Sequence, residues 1–153
     1  MQAAIGCEQL KKFPSFIERR RHNWDRLHKA MEEVQDKLIL PKPAENSRPS
    51  WFGFLISVKP ESGLDRNAVT RYIEDHNVQT RLLFSGNLIK HPCFDQIRGT
   101  EAYRVVGDLT NTEFIMKNTF WVGVYPGMSD AMIDYMAKVI KEAVKWEASM
   151  WEN

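Results

Sequence analysis

The stretch WFGFLISV, Trp51 to Val58, decides how this chain folds. It is rich in aromatic and branched residues, and Pro49 and Gly63 bracket it too closely for a helix, so it reads as a core strand. Upstream, Pro41, Pro43 and Pro49 stand among Glu45, Asn46, Ser47 and Arg48, which cannot continue a helix and favour an extended crossing. Before that segment, Phe16, Ile17, Trp24, Leu27, Met31, Val34 and Leu38 recur in steps that place them on one helical stripe. The spacing predicts a long amphipathic helix. Pro14 separates it from an earlier apolar-faced helix, MQAAIGCEQLKKF. The other face of the long helix carries Glu18, Arg19, Arg20, Arg21, Asp25, Arg26, Lys29 and Glu32 and reads as a solvated surface.

Downstream of the strand, Asp65 is placed to cap a helix carrying Val69, Tyr72 and Ile73. That helix should stop near His76 and Asn77, with a second strand from Val78 to Phe84. Ser85 to Asp108 is irregular, broken by Gly86, Pro92, Gly99 and Gly107, with a helical turn around Cys93 to Ile97. A loop this long in a small domain is usually functional or disordered. Thr110 and Glu113 have capping-box spacing ahead of a short helix to about Lys117. TFWVGVY, Thr119 to Tyr125, is a third strand. A Pro126-Gly127 turn and Ser129 as cap then open a last helix, with Met132, Ile133, Met136, Val139, Ile140, Ala143 and Val144 as its buried stripe. The order predicts an α+β layer, a three-stranded sheet with flanking helices, preceded by the long amphipathic helix.

Composition excludes several classes. The chain has 153 residues, 43% hydrophobic and 27% charged, the length and balance of one globular domain. A net charge of +1 offers no broad field for nucleic acid or anionic membrane. No apolar run approaches the roughly 20 residues that cross a bilayer, and no secretory pattern opens the chain, so a cytoplasmic location is expected. Cys7 and Cys93 lie far apart without metal or redox spacing, and both are expected to be reduced thiols.

No complete catalytic constellation is present: there is no nucleophile elbow, Walker loop, dinucleotide fingerprint or zincin helix. His22, His28 and His76 fall on or near helices as surface residues, whereas His91 sits beside Pro92 in the irregular segment. RLLFSGNLIKHP, Arg81 to Pro92, delivers a guanidinium and an aromatic ring to a Ser-Gly-Asn turn, whose backbone N–H groups suit a sugar or phosphate. On spacing alone the signal is weak, and a structural turn with Arg81 in a salt bridge is the favoured reading. VYPGMS, Val124 to Ser129, leads into a helix N-terminus that could receive an anion, or is simply turn and cap. The five tryptophans read as core packing rather than base-stacking platforms, since no basic stripe accompanies them.

MQAAIGCEQLKKFPSFIERRRHNWDRL resembles the stretch that follows the cofactor-binding domain in the DegT/DnrJ/StrS family of sugar aminotransferases and dehydrases. TRLLFSGNLIKHPCF and NTFWVGVYPGMSDAMIDYMAKVI are similar to one branch of it, the CDP-4-keto-6-deoxyglucose 3-dehydrases of lipopolysaccharide and dideoxysugar biosynthesis. The resemblance implies the small C-terminal domain of the aspartate-aminotransferase fold (fold type I). Residues 1–40 would link to a cofactor-binding domain and 41–153 would form the small domain. It also implies a longer enzyme, generally dimeric, that uses pyridoxamine or pyridoxal 5'-phosphate on a nucleotide-sugar. The catalytic residues and principal cofactor ligands would lie upstream, so this chain alone is expected to hold no cofactor and to be inactive. Arg81, Phe84, Gly86 and Asn87 match the branch's Arg-x-x-Phe-x-Gly-Asn segment and, with His91, are expected to line the substrate side of the cleft. Ser85 stands where a second glycine is common. The alternatives are a sugar aminotransferase fragment and a free-standing binding or regulatory module.

Overall fold

A computed structural model describes residues 2–150, with side chains through residue 146. Met1, at the head of the first helical stretch, and Trp151, one of the five tryptophans, lie outside these described residues. Among the described residues four α-helices, α1 (Gln2–Met31), α2 (Arg66–Asp75), α3 (Thr110–Asn118) and α4 (Asp130–Met150), accompany four strands. The strands are β1 (Leu38–Ile39), β2 (Gly53–Val58), β3 (Thr80–Leu82) and β4 (Thr119–Gly123). They form one antiparallel sheet in the order β1-β2-β4-β3. The architecture is α+β as expected, but the sheet has four strands rather than three.

The extra strand corrects the placement of Leu38 on the helical stripe. The helix ends at Met31, a 3₁₀ turn spans Glu32–Val34, and Leu38 and Ile39 pair with Val58 and Ser57. Leu38 is fully buried, and hydrophobic periodicity could not separate a continuation of the helix from a two-residue strand. The break expected at Pro14 is also corrected, because α1 runs through it. Proline removes one backbone donor and crowds the preceding turn, a cost of about 3 kcal/mol. Helix-forming residues stand on either side, Ala3, Ala4, Leu10, Lys11 and Lys12 before it and Glu18, Arg19, Arg20 and Arg21 after it, and the Ser15 hydroxyl donates to the Lys12 carbonyl at 2.7 Å.

β2 and β4 form the middle of the sheet, with Phe54 opposite Val122 and Ile56 opposite Phe120. Their alternation sends Phe54, Ile56, Val58, Phe120 and Val122 into the core, each with no exposed surface. Trp24, Leu27 and Met31 from α1, Val69 and Ile73 from α2, and Ile133, Val139, Ile140 and Val144 from α4 complete that core. Burying such a side chain stabilises by about 1.5–3 kcal/mol. Trp24 is sandwiched between Trp51, with ring centroids 4.4 Å apart, and His28 at 4.9 Å.

The cap readings divide. Asp65 accepts from the Ala68 N–H at 3.0 Å and Ser129 from the Met132 N–H at 3.3 Å, as spacing predicts. The capping box at Thr110 and Glu113 does not form. Leu109 is the cap residue, the Asp108 carboxylate takes the Thr110 N–H at 3.0 Å, and Glu113 turns toward Asn87 and Lys90. The basic face of α1 is not merely solvated either. Arg19 donates to the Met128 carbonyl at 2.9 Å and to Asp130 at 2.7 Å, while Arg26 forks onto Asp134 at 2.7 and 2.8 Å. Asn23, fully buried, donates to the Tyr125 carbonyl at 2.9 Å. These residues clamp α1 to the turn that opens α4.

Candidate functional site

The segment after β3 leaves the sheet edge through a backbone bend that few side chains tolerate. Phe84 has φ of 44° and Gly86 of 60°, both in the left-handed region. The Gly86 N–H donates to the Leu83 carbonyl at 3.3 Å, and a Cβ on Gly86 would sit 2.6 Å from the Met116 Cγ. Glycine is therefore required there on two counts, conformation and close approach to α3. Asn87 follows, almost fully buried; its N–H donates to the Met116 sulfur at 3.4 Å and its amide to a Glu113 oxygen. The Lys90 ammonium meets the other Glu113 oxygen at 2.6 Å. Hydrogen bonds from Lys90 and then Asn87 hold the Glu113 carboxyl below the usual carboxylate range. The His91 imidazole hydrogen-bonds the Ser85 carbonyl, which closes the loop on itself. With the loop anchored this way, the Phe84 ring is left 85% exposed.

Arg81 is separated from this knot. It lies on β3 opposite Trp121, is exposed, and its guanidinium makes no hydrogen bond or ion pair among the described residues. It lines a cavity of about 640 Å³ beside the sheet edge, where the chain enters β3, leaves β4 and begins α4. Trp121, Phe52, Tyr125 and Tyr135 supply aromatic walls, and Arg20 reaches in from α1. The Phe52 and Trp121 rings lie 5.1 Å apart, and the Tyr135 hydroxyl donates to the His76 carbonyl at 3.1 Å. Phe84, Gly86, Asn87 and His91 do not border this cavity. Of the five residues named from sequence, the structure thus places Arg81 in the cavity and the other four in the loop next to it.

The N-terminus of α4 is already satisfied from within the chain. Ser129 caps it, and the Asp130 carboxylate in its first turn takes Arg19 and, at 3.1 Å, His22. Those two hydrogen bonds lower the Asp130 pKa below the ordinary aspartate value. The Val124 to Ser129 segment is therefore turn and cap, with the chain's own carboxylate in the place of an external anion. Sequence reasoning missed Glu113, whose spacing matched a capping box equally well, and Arg20, hidden in a run of three arginines. The signal for Arg20 was available. Successive helical residues are turned by about 100°, so Arg19, Arg20 and Arg21 cannot serve one surface.

The cavity does not fit a pyridoxal or pyridoxamine phosphate. Its lining residues provide no carboxylate for a pyridine nitrogen and no lysine or histidine to move a proton. Among the described residues there is no cluster of His, Cys, Asp or Glu that could hold a metal, and no helix long and apolar enough to cross a membrane.

Comparison with known proteins gives the family and the fold. Residues 1–141 match the model of the DegT/DnrJ/EryC1/StrS aminotransferase family. A dTDP-4-dehydro-2,6-dideoxy-D-glucose 3-dehydratase of Saccharopolyspora spinosa is 44% identical over 144 residues, which are 94% of this chain and 30% of that protein. The lipopolysaccharide biosynthesis protein RfbH of Salmonella typhimurium is 42% identical over 142 residues, 93% of this chain and 32% of that one. A solved structure of the E. coli GDP-4-keto-6-deoxy-D-mannose-3-dehydratase with bound hydrated PLP superposes with a TM-score of 0.76 at 31% identity, covering 90% of this chain and 34% of that one. The chain spans about a third of the length of these relatives. By its fold, by that match across nearly its whole length and by these identities, the chain belongs to the DegT/DnrJ/EryC1/StrS aminotransferase family.

Proposed function

We propose that this chain is the C-terminal portion of a pyridoxamine-phosphate-dependent nucleotide-sugar 3-dehydratase of lipopolysaccharide or dideoxysugar biosynthesis, and that it contributes the substrate-side wall of the active site. In this division residues 1–40 lead from the cofactor-binding domain and 41–153 are the small domain, in a cytoplasmic and generally dimeric enzyme. The observation that carries the reading is the Arg81 to His91 segment. A free guanidinium on a sheet edge is followed by a rigid loop that exposes an aromatic ring, and the relatives sharing the fold at 31–44% identity are 3-dehydratases where their names state a reaction.

In this arrangement Arg81 binds and orients an anionic or polyhydroxylated substrate, because a guanidinium stays charged and donates in a fixed fork. Phe84 covers it and excludes water, while Gly86, Asn87 and His91 hold the loop in the conformation that presents both. Pyridoxamine phosphate, held by residues outside this chain, would supply the electron sink. The chain alone is then inactive as dehydratase and transaminase, since its cavity is lined by no lysine or histidine to move the proton at the cofactor.

The test is a chimaera in which this chain replaces the matching third of the S. spinosa 3-dehydratase, loaded with pyridoxamine phosphate. Dehydration of its own nucleotide-sugar is expected, with Arg81→Gln lowering kcat/KM about ten-fold or more. A soluble, cofactor-loaded chimaera that transaminates but never dehydrates would move the assignment to the aminotransferases of the family.

A further inference from the structure

Residues 84–98 fold back on themselves without joining the core. Asn87 is the one buried residue among them, while Phe84, Leu88, Phe94 and Ile97 are exposed. The segment is knitted from within: His91 meets the Ser85 carbonyl, and Arg98 donates to the Ile89 carbonyl at 2.9 Å and pairs with Asp95. Among the described residues, every hydrogen bond and ion pair that ties it to more than its own flanks ends on α3, at Glu113 or Met116. Glu113 takes the Asn87 amide on one carboxylate oxygen and the Lys90 ammonium, at 2.6 Å, on the other; the Met116 sulfur takes the Asn87 N–H at 3.4 Å. Glu113 and Met116 are three residues apart and so share a face of α3. Apolar side chains would attach a loop at smaller desolvation cost; a satisfied polar network instead fixes one geometry. Three residues before the buried amide, the Phe84 backbone stands at φ of 44°, a conformation that a bulky residue keeps only where its surroundings impose it.

We infer that Glu113 is a positioning residue for the reaction: through Asn87 and Lys90 it latches residues 84–98 to α3 and so sets where Phe84 stands over the substrate. This deepens the reading above and rests on it. Glu113 does not border the cavity that Arg81 lines, so its effect reaches the substrate only through the loop. Both carboxylate oxygens are needed as acceptors. In Glu113→Gln the amide oxygen can still take Asn87, but an NH₂ group then faces the Lys90 ammonium, donor against donor. Lys117 lies 4.0 Å from the oxygen that Lys90 meets, too far to replace it with a hydrogen bond.

The experiment has two arms. In the 153-residue chain, amide hydrogen exchange across residues 84–98 is followed by mass spectrometry. Glu113→Gln should speed exchange there about ten-fold while β2 and β4 stay protected. Lys90→Met should do the same in part, and Lys90→Arg should restore most of the protection. Ile140→Val, a change in the core under α4, should lower Tm and leave the loop as it was. In the chimaera described above, KM and kcat are measured for Glu113→Gln, Phe84→Ala and the two together. Glu113→Gln is expected to raise KM about ten-fold with much less change in kcat and none in cofactor loading. In the Phe84→Ala background it should add nothing, because a latch that acts through Phe84 then has nothing to place. An original chain whose loop exchanges as fast as that of Glu113→Gln would overturn the latch, and KM effects that multiply in the double variant would overturn its action through Phe84. A chimaera that transaminates instead of dehydrating overturns the dehydratase reading alone, since the same KM comparison then runs on that reaction. A soluble, cofactor-loaded chimaera with neither reaction overturns both.

Discussion

Gly86 shows how narrowly one residue can be constrained. Its φ of 60° and the 2.6 Å that would separate an added Cβ from Met116 act on the same atom group, so Gly86→Ala should cost on the order of 2 kcal/mol through strain and overpacking. Thermal denaturation checks this, and an unchanged Tm would mean that Met116 yields freely. Phe84 presents the opposite case, a bulky residue with φ of 44° whose side chain is mostly in solvent. Strain of this kind persists where the surroundings impose it, here through the Asn87 to Glu113 anchor. At this scale the sequence was partly legible. The Ser-Gly-Asn turn could be read from residue types alone, but the burial of Asn87 could not, because Glu113 lies far along the chain and its spacing from Thr110 suggested a local partner instead.

Between elements, the fold depends on how α1 meets α4. Besides the Arg19, Asn23 and Arg26 contacts, Glu33 receives Lys141 and Lys145, both at 2.9 Å, just past the end of α1. Their hydrogen bonds lower the Glu33 pKa to about 2. A carboxylate depressed on folding adds stability that is present above its unfolded value, near 4.3, and is lost as pH falls through the folded value. The difference in Tm between the original chain and Glu33→Gln should therefore be constant above about pH 5 and vanish toward pH 2. Because Glu33 is solvent-exposed the effect is small and should shrink further in high salt. A difference independent of pH across that window would sink the ion-pair account. Most of the helical stripes of α1 and α4 was readable from periodicity, although Phe16 and Met132 are exposed, whereas the charged clamp between them was not: a basic helix face looks the same in sequence whether water or a second helix meets it.

The whole molecule is unevenly packed. Residues 2–16 of α1 are exposed throughout, and Ile5, Leu10 and Phe13 show 61%, 70% and 54% of their surface. Removing residues 2–13 should thus leave the Tm nearly unchanged, since those side chains contribute little to the core. The same deletion should reduce concentration-dependent association, because contiguous exposed apolar surface promotes it. Sedimentation velocity over a range of concentrations reads the second effect and calorimetry the first. A large drop in Tm would show that this half of α1 supports the fold in a way its exposure does not reveal.

By itself the sequence determined the elements with strong local signals: the β2 and β4 runs, the α2 and α4 stripes, their Asp65 and Ser129 caps, and a family-like Arg81 to His91 segment. Each rests on contacts or conformations a few residues apart, which composition and period encode directly. Only the tertiary structure decided that Leu38 pairs as a strand, that α1 passes through Pro14, that Glu113 anchors Asn87, and that Arg20 shares a cavity with Arg81. Those outcomes depend on groups distant in the chain being brought within a few ångströms, and the energy that selects among them comes from burial and pairing that exist only once the sheet and helices have packed.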